Sequence, residues 1–241
     1  MKFIPTITTT SGSNLKEKMR EVELLKIEEV ALFLTCLGKE QRKNLYEMIK
    51  RSPIKRIPFV HLRSDMDVSE LEFLAKEYDT KIFCTHSERL FPVDNEWLVK
   101  YRELICIENT YDAPLDEGEI KKFGGICLDF AHLENLRLLE TEKYKKEVEV
   151  LNKFPIKCNH ISVIKKDFSY VDSKTRKLQY DSHHLEDVSE LDYLKNYPVQ
   201  YFSDYCAMEL DNKLSEQLEA IEYIKEFMGS RDKLINKMME Q

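Results

Sequence analysis

The chain has 241 residues, of which 42% are hydrophobic and 34% charged, and its formal net charge is −7. This composition suits a soluble globular enzyme and argues against an intrinsically disordered chain. No apolar run approaches the roughly 20 residues that cross a bilayer, and the first residues lack the apolar region of a signal peptide, so a cytoplasmic protein is expected. The acidic charge disfavours extended nucleic acid as a partner without excluding it, because polyanions are repelled on average.

Hydrophobic patterning predicts an alternation of strands and helices. Short apolar runs predict eight strands, at residues 3–9, 30–34, 57–62, 81–86, 104–108, 125–129, 155–160 and 201–210. Helical spacing predicts helices at 14–27, 68–78, 95–101, 117–122, 134–151, 185–196 and 214–228, together with one that ends before Pro53. A polar loop is expected at 165–182, and a charged helical tail at 231–241.

This alternation predicts a single α/β domain over residues 1–241. Strands that alternate with helices form parallel sheets with right-handed crossovers, and eight such units close a barrel. No glycine-rich phosphate loop follows any predicted strand, which disfavours the alternative of an open, doubly wound sheet. The predicted fold is therefore a (β/α)8 TIM barrel.

The six cysteines form no C-x-x-C pair, which disfavours a structural zinc ribbon. Most of them lie in apolar runs that are predicted strands. Because free cysteine behaves there as a small hydrophobic residue, reduced core cysteines are expected.

Chemically active side chains stand at the C-terminal ends of predicted strands and in one loop. The strand ends supply His61, His86, Glu108, Asp129, His160 and Glu209; His132 follows Asp129 by three residues, and the loop adds Asp181, His183 and His184. All six histidines of the chain belong to this set. Strand ends of a barrel meet at one mouth, and imidazole and carboxylate groups are ligands for divalent cations. The sequence therefore predicts a divalent-metal site.

Four segments resemble, as an ordered set, the xylose isomerase-like barrel superfamily: Cys-Ile-Glu-Asn-Thr (106–110), Gly-Ile-Cys-Leu-Asp-Phe-Ala-His (125–132), Asn-His-Ile-Ser (159–162) and Met-Glu-Leu (208–210). The resemblance covers nearly the whole chain and implies a TIM barrel. The superfamily joins sugar isomerases and epimerases with abasic-site endonucleases of the endonuclease IV type.

The isomerase branch implies one Mn, Mg, Co or Zn ion held by Glu108, Asp129, His160 and Glu209. Glu108 and Glu209 would also act as the acid–base pair, and His132 would contact the substrate. An isomerase or epimerase of a sugar or sugar-phosphate-like small molecule is the favoured expectation, with monomer and homodimer both open.

The endonuclease branch implies a cluster of two or three zinc or iron ions that hydrolyses a phosphodiester. His61, His86, His132, Asp181 and His183 would then join the four ligands of the isomerase branch. The short chain, its acidic charge and the continuation Leu-Glu-Asn-Leu-Arg (133–137) disfavour DNA as the substrate. A metal-binding barrel without turnover is the remaining alternative.

Candidate substrate contacts are Arg63, Lys165 and His184, besides His132. A guanidinium suits phosphate. The predicted loop also carries Lys166, Lys174, Arg176 and Lys177, which predict either an anion clamp or a solvated charged surface. His183 is preferred to His184 as the loop ligand because it completes an Asp-x-His pair with Asp181.

Overall fold

The computed structural model describes residues 1–93, 95–170 and 178–239. Its strands are β1 (Lys2–Ile4), β2 (Thr6–Thr8), β3 (Ala31–Phe33), β4 (Phe59–His61), β5 (Ile82–Thr85), β6 (Ile105–Glu108), β7 (Gly125–Asp129), β8 (Ile156–Ile161), β9 (Val163–Tyr170), β10 (Leu178–Ser182) and β11 (Tyr205–Met208). Its α-helices are α1 (Leu15–Leu25), α2 (Lys39–Lys50), α3 (Val68–Glu77), α4 (Asn95–Tyr101), α5 (Glu117–Ile120), α6 (Phe130–Leu139), α7 (Thr141–Leu151) and α8 (Leu214–Met239).

Nine parallel strands form a nearly closed barrel surrounded by helices, in the order β1-β11-β8-β7-β6-β5-β4-β3-β2. The two end strands of this order, β1 and β2, are consecutive pieces of the first predicted strand, separated by Pro5. Proline has no N–H for a strand ladder, so the chain pairs with β11 before Pro5 and with β3 after it. The predicted α/β barrel is confirmed, with its first strand divided in two.

The barrel interior is filled by aliphatic, aromatic and cysteine side chains that come from strands alone. They are Ile4, Ala31, Phe33, Phe59, Ile82, Cys84, Cys106, Cys127, Cys158 and Ala207. A larger apolar cluster includes residues of both strands and helices. The cysteines are free as predicted, and five of them are buried, whereas Cys36 is exposed.

The predicted polar loop at 165–182 is wrong at both of its ends, where β9 and β10 pair as antiparallel strands; its middle part, 171–177, lies outside the described residues. The predicted helix at 134–151 is two helices, α6 and α7, which meet at Glu140. Helix α6 begins early because Asp129 caps it, its side chain accepting a hydrogen bond from the backbone N–H of His132.

Three other boundaries differ from the predictions. The last barrel strand is shorter than 201–210, since Val199–Tyr201 is a 3₁₀ turn, and the helix expected at 185–196 is a 3₁₀ helix at Val188–Asn196. Helix α8 continues through Gly229, where the predicted helix stopped; one glycine inside a helix costs only about 1 kcal/mol.

Among the described helices, none is both long and apolar enough to cross a membrane.

Candidate metal centre

The predicted ligands come together at the C-terminal mouth of the barrel. Glu108 and Asp129 are the last residues of β6 and β7, and His160 stands opposite Asp129 in β8. His61 ends β4, whereas His86 and Glu209 directly follow β5 and β11. Parallel strands thus carry side chains from distant parts of the chain to one place.

Glu108, Asp129, His160 and Glu209 form a four-ligand group in which one ligand atom of each lies within 4.8 Å of the others. His160 Nδ1 lies 3.3 Å from Glu209 Oε2, 3.4 Å from Glu108 Oε2 and 3.9 Å from Asp129 Oδ2. Ligands about 2.1 Å from a shared ion in a tetrahedron are about 3.4 Å apart. These distances therefore suit one divalent cation.

Three atoms of this group are buried without a hydrogen-bond partner: Asp129 Oδ2, His160 Nδ1 and Glu209 Oε2. An unsatisfied buried polar group costs about 1–3 kcal/mol, so native proteins rarely keep one without a reason. A cation held between these atoms would satisfy all three at once. The donor set therefore fits a metal ion.

A second group consists of His61, His86 and Glu108. Glu108 Oε2 lies 2.9 Å from His61 Nε2 and 3.6 Å from His86 Nε2. His61 Nδ1 donates to the carbonyl oxygen of Leu62 at 2.9 Å, because a carbonyl can only accept. Its Nε2, hydrogen-bonded to Glu108 Oε2, is therefore the nitrogen that could bind a metal ion. An outer hydrogen bond of this kind is typical of histidine metal ligands. Glu108 belongs to both groups.

Asn109 fixes the backbone of Asp129. Its side chain donates to Asp129 O at 3.1 Å and accepts from Asp129 N at 2.7 Å, and it is buried. In the sequence analysis, Asn109 belongs to a motif but has no role. Its position directly after the candidate ligand Glu108 could have indicated that it supports the site.

Cys84 supports His160 from the other side of the ring. Its Sγ lies 3.2 Å from His160 Nε2. When Nδ1 turns its lone pair toward the carboxylates, Nε2–H donates to this sulfur and fixes the tautomer. Cys84 and Cys127 also form a further fully buried group with His160. Sequence reasoning placed Cys84 in the core without this contact.

The two glutamates are anionic despite being buried. Burial opposes charge on Glu108, but the charge of His160 and the hydrogen bonds from His160 and His61 outweigh it and hold its pKa well below the usual range. Burial likewise opposes charge on Glu209, while His183 and His160 lower its pKa to about 2. Two of the four carboxylate and imidazole ligands are thus already in the deprotonated form that metal binding requires.

The other titratable groups are shifted in both directions. Burial, with the charges of Glu209 and Glu108, raises the pKa of Asp129 to about 7. Burial lowers the pKa of His86 to about 4, which leaves its imidazole neutral at pH 7 and able to bind a metal. For His132 the nearby carboxylates, chiefly Asp129, outweigh burial and raise the pKa to about 9.

His132, Asp181 and His183 lie at the edge of the centre. His132 Nδ1 is 2.9 Å from Asn109 O and 3.5 Å from Glu108 Oε1, and His183 Nε2 is 3.8 Å from Glu209 Oε1. Asp181 is buried, and its Oδ1 has no hydrogen-bond partner in the described chain. Within residues 1–93, 95–170 and 178–239, these three do not assemble into a group as compact as the others.

Two of the candidate substrate contacts, Arg63 and Lys165, lie in different surroundings. Arg63 lines a cleft that His86 also lines. Lys165 forms ion pairs with Glu190 at 2.8 Å and with Glu186 at 3.6 Å.

His184 is exposed, whereas its neighbour His183 approaches Glu209. Of the basic residues expected in the loop, Lys165 and Lys166 lie in β9. Lys174, Arg176 and Lys177 lie outside the described residues.

No protein-family model matches the chain, and no curated protein matches its sequence. The structure itself provides buried groups of histidine, glutamate, aspartate and cysteine that could hold a metal ion. Nitrogen and carboxylate oxygen donors suit Zn²⁺, Mn²⁺ and related divalent ions.

Proposed function

We propose that the protein is a metal-dependent phosphoester hydrolase that binds at least two divalent ions, the activity that the resemblance to the endonuclease branch implies. The observation that supports this proposal is the place of Glu108 in both ligand groups. A carboxylate shared in this way would lie between two ions if both groups were loaded. Paired ions clamp the attacking and leaving oxygens of an in-line displacement at phosphorus. A one-ion isomerase would need only the four-ligand group.

Each side chain has a role in this proposal. His61 Nε2 and His86 Nε2 would hold one ion, Asp129, His160 and Glu209 would hold the other, and Glu108 would contribute to both sites. When bound, such ions polarise a phosphoryl oxygen and make water a stronger nucleophile near neutral pH.

His132 lies at the mouth of the barrel, where a substrate would enter. Its side chain is 16% exposed, so its imidazole can contact a phosphate oxygen of a bound substrate. The hydrogen bond from its Nδ1 to Asn109 O orients the ring. In this proposal His132 contacts the substrate, whereas the resemblance to the endonuclease branch implies that it is a metal ligand.

The proposal is tested by loading the purified protein with zinc or manganese and assaying aryl phosphomonoesters and phosphodiesters. Metal-dependent hydrolysis is expected, and Glu108→Gln should reduce it by more than about 100-fold because the bridging charge is lost. Glu142→Gln is the matched control, since Glu142 is exposed on α7 and pairs with Lys145. Absence of hydrolysis by the loaded wild-type protein would refute the proposal.

An isomerase or epimerase is the second candidate. Glu108 and Glu209 place their carboxylates 3.4 and 3.3 Å from the same His160 nitrogen, so both flank one position. Two such carboxylates suit proton exchange at a carbon next to a carbonyl. Conversion of a sugar or sugar phosphate with one Mn, Mg or Co ion per chain, and no phosphoester hydrolysis, would favour this candidate.

A further inference from the structure

A small cleft opens beside the second ligand group. Its volume is about 140 Å³, and its lining includes Thr35, Leu62, Arg63, Ser64, His86 and Phe91. Pockets for drug-sized ligands measure roughly 300–1,000 Å³, so this cleft has room for one chemical group of a substrate. Since His86 lies 3.6 Å from Glu108, such a group would sit next to the proposed reaction centre.

Phe91 forms an apolar wall of the cleft. Its side chain is 47% exposed, whereas the phenylalanines inside the barrel, Phe33 and Phe59, are almost fully buried. The Phe91 ring lies 5.4 Å from the His86 ring, at an interplanar angle of 44°. An exposed ring at this place offers a face on which a second flat ring can stack.

Arg63 forms the polar wall. Its guanidinium donates from Nη1 to Thr35 O at 2.6 Å and from Nε to Asp65 Oδ1 at 2.9 Å, and these two bonds fix its plane. Asp65 also accepts from Arg42 Nη1 at 2.9 Å, and Arg42 is paired with Glu70 at 2.7 Å, so two carboxylates balance the two guanidinium groups. Arg63 still presents to the cleft a planar group of donors suited to acceptor atoms at the edge of a ring.

We propose that this cleft binds a flat aromatic group of the substrate, which makes the substrate an aryl- or nucleobase-bearing phosphoester rather than a plain sugar phosphate. This inference rests on the proposed hydrolase function. The aromatic group stacks on Phe91, and its polar edge meets Arg63. The phosphate lies toward His86 and Glu108.

The test compares two non-hydrolysable probes, phenylphosphonate and methylphosphonate, in calorimetric titrations of the zinc-loaded protein. Phenylphosphonate should bind about tenfold more tightly, since one stacked and buried ring contributes on that order. Phe91→Ala should remove this preference, and Phe91→Leu should reduce it. Phe168→Ala is the matched control, because Phe168 is 49% exposed on β9 and is not among the residues of the cleft.

The outcomes separate this inference from the function on which it rests. If both probes bind with equal affinity, or if the preference survives in Phe91→Ala, the aromatic subsite is refuted and the hydrolase proposal stands. If neither probe binds the zinc-loaded protein, the hydrolase proposal is refuted together with the subsite. A preference that disappears in Phe91→Ala and persists in Phe168→Ala supports both.

Discussion

Replacing Asn109 with alanine should weaken metal binding more than its effect on stability explains. The substitution removes two hydrogen bonds, of 2.7 and 3.1 Å, and leaves the N–H and C=O of Asp129 without these partners inside the protein. Each unsatisfied buried group costs about 1–3 kcal/mol, so with two such groups the free energy of unfolding should fall by about 2–6 kcal/mol. Because the substitution releases the backbone of a metal ligand, metal affinity should also fall by about 10- to 100-fold.

Asn212 offers a matched control. Its side chain makes the same pair of hydrogen bonds with another backbone, donating to Leu185 O at 2.9 Å and accepting from Leu185 N at 2.7 Å. Asn212→Ala should therefore lose similar stability in denaturant titrations. Its affinity for zinc, measured by competition with a chromophoric chelator, should change little, since Leu185 is not a ligand. If the two variants bind zinc equally well, Asn109 does not act by positioning Asp129.

Three further predictions concern other residues of the fold. Glu209→Gln should abolish hydrolysis and weaken metal binding, and full activity in this variant would show that the site is misplaced. Cys84→Ala should lower zinc affinity about tenfold while Cys84→Ser, which keeps an acceptor for His160 Nε2–H, retains more of it; equal affinities would contradict the proposed contact. Burial raises the pKa of Glu147 from 4.5 to about 7, so the stability linked to this carboxyl is present in full below pH 4.5 and is lost as the pH rises through 7. This difference between the two pKa values is equivalent to about 3 kcal/mol of stability. In denaturant titrations, Glu147→Gln should therefore lose less stability than the wild-type protein between pH 5 and pH 8. An unchanged pH dependence in this variant would contradict the raised pKa of Glu147.

The barrel, and the meeting of most candidate metal ligands at its mouth, could be predicted because topology decides both. Once strands alternate with helices, the residues after each apolar run must meet at one mouth, as Glu108, Asp129 and His160 do. The division of the first strand at Pro5 could not be predicted, because it depends on the pairing of β1 with β11 and of β2 with β3. The local sequence shows the proline, but it does not show which strands lie beside it.

The hairpin at the mouth could not be predicted in the same way. Strand β9 carries Lys165, Lys166 and Asp167 in succession, so it lacks the apolar alternation that marks a half-buried strand. The choice between His183 and His184 depends on where the chain runs after this hairpin, and only His183 approaches Glu209. The Asp-x-His spacing favoured His183, but it could not show which side chain the hairpin brings close to Glu209.

The sharing of Glu108 was equally hidden from the sequence. One residue at a strand end predicts one ligand, whereas here the same oxygen faces His61, His86 and His160. That arrangement depends on the rotamer of Glu108 and on the hydrogen bond that turns His61 toward it. Both are consequences of tertiary packing.

The central claim, that Glu108 bridges two metal ions, is tested most directly by electron paramagnetic resonance of the manganese-loaded protein, combined with elemental analysis. Two ions held by one carboxylate interact magnetically. We predict at least two manganese ions per chain with an exchange-coupled spectrum, which Glu108→Gln abolishes. A single uncoupled manganese ion per chain at saturation would contradict the claim.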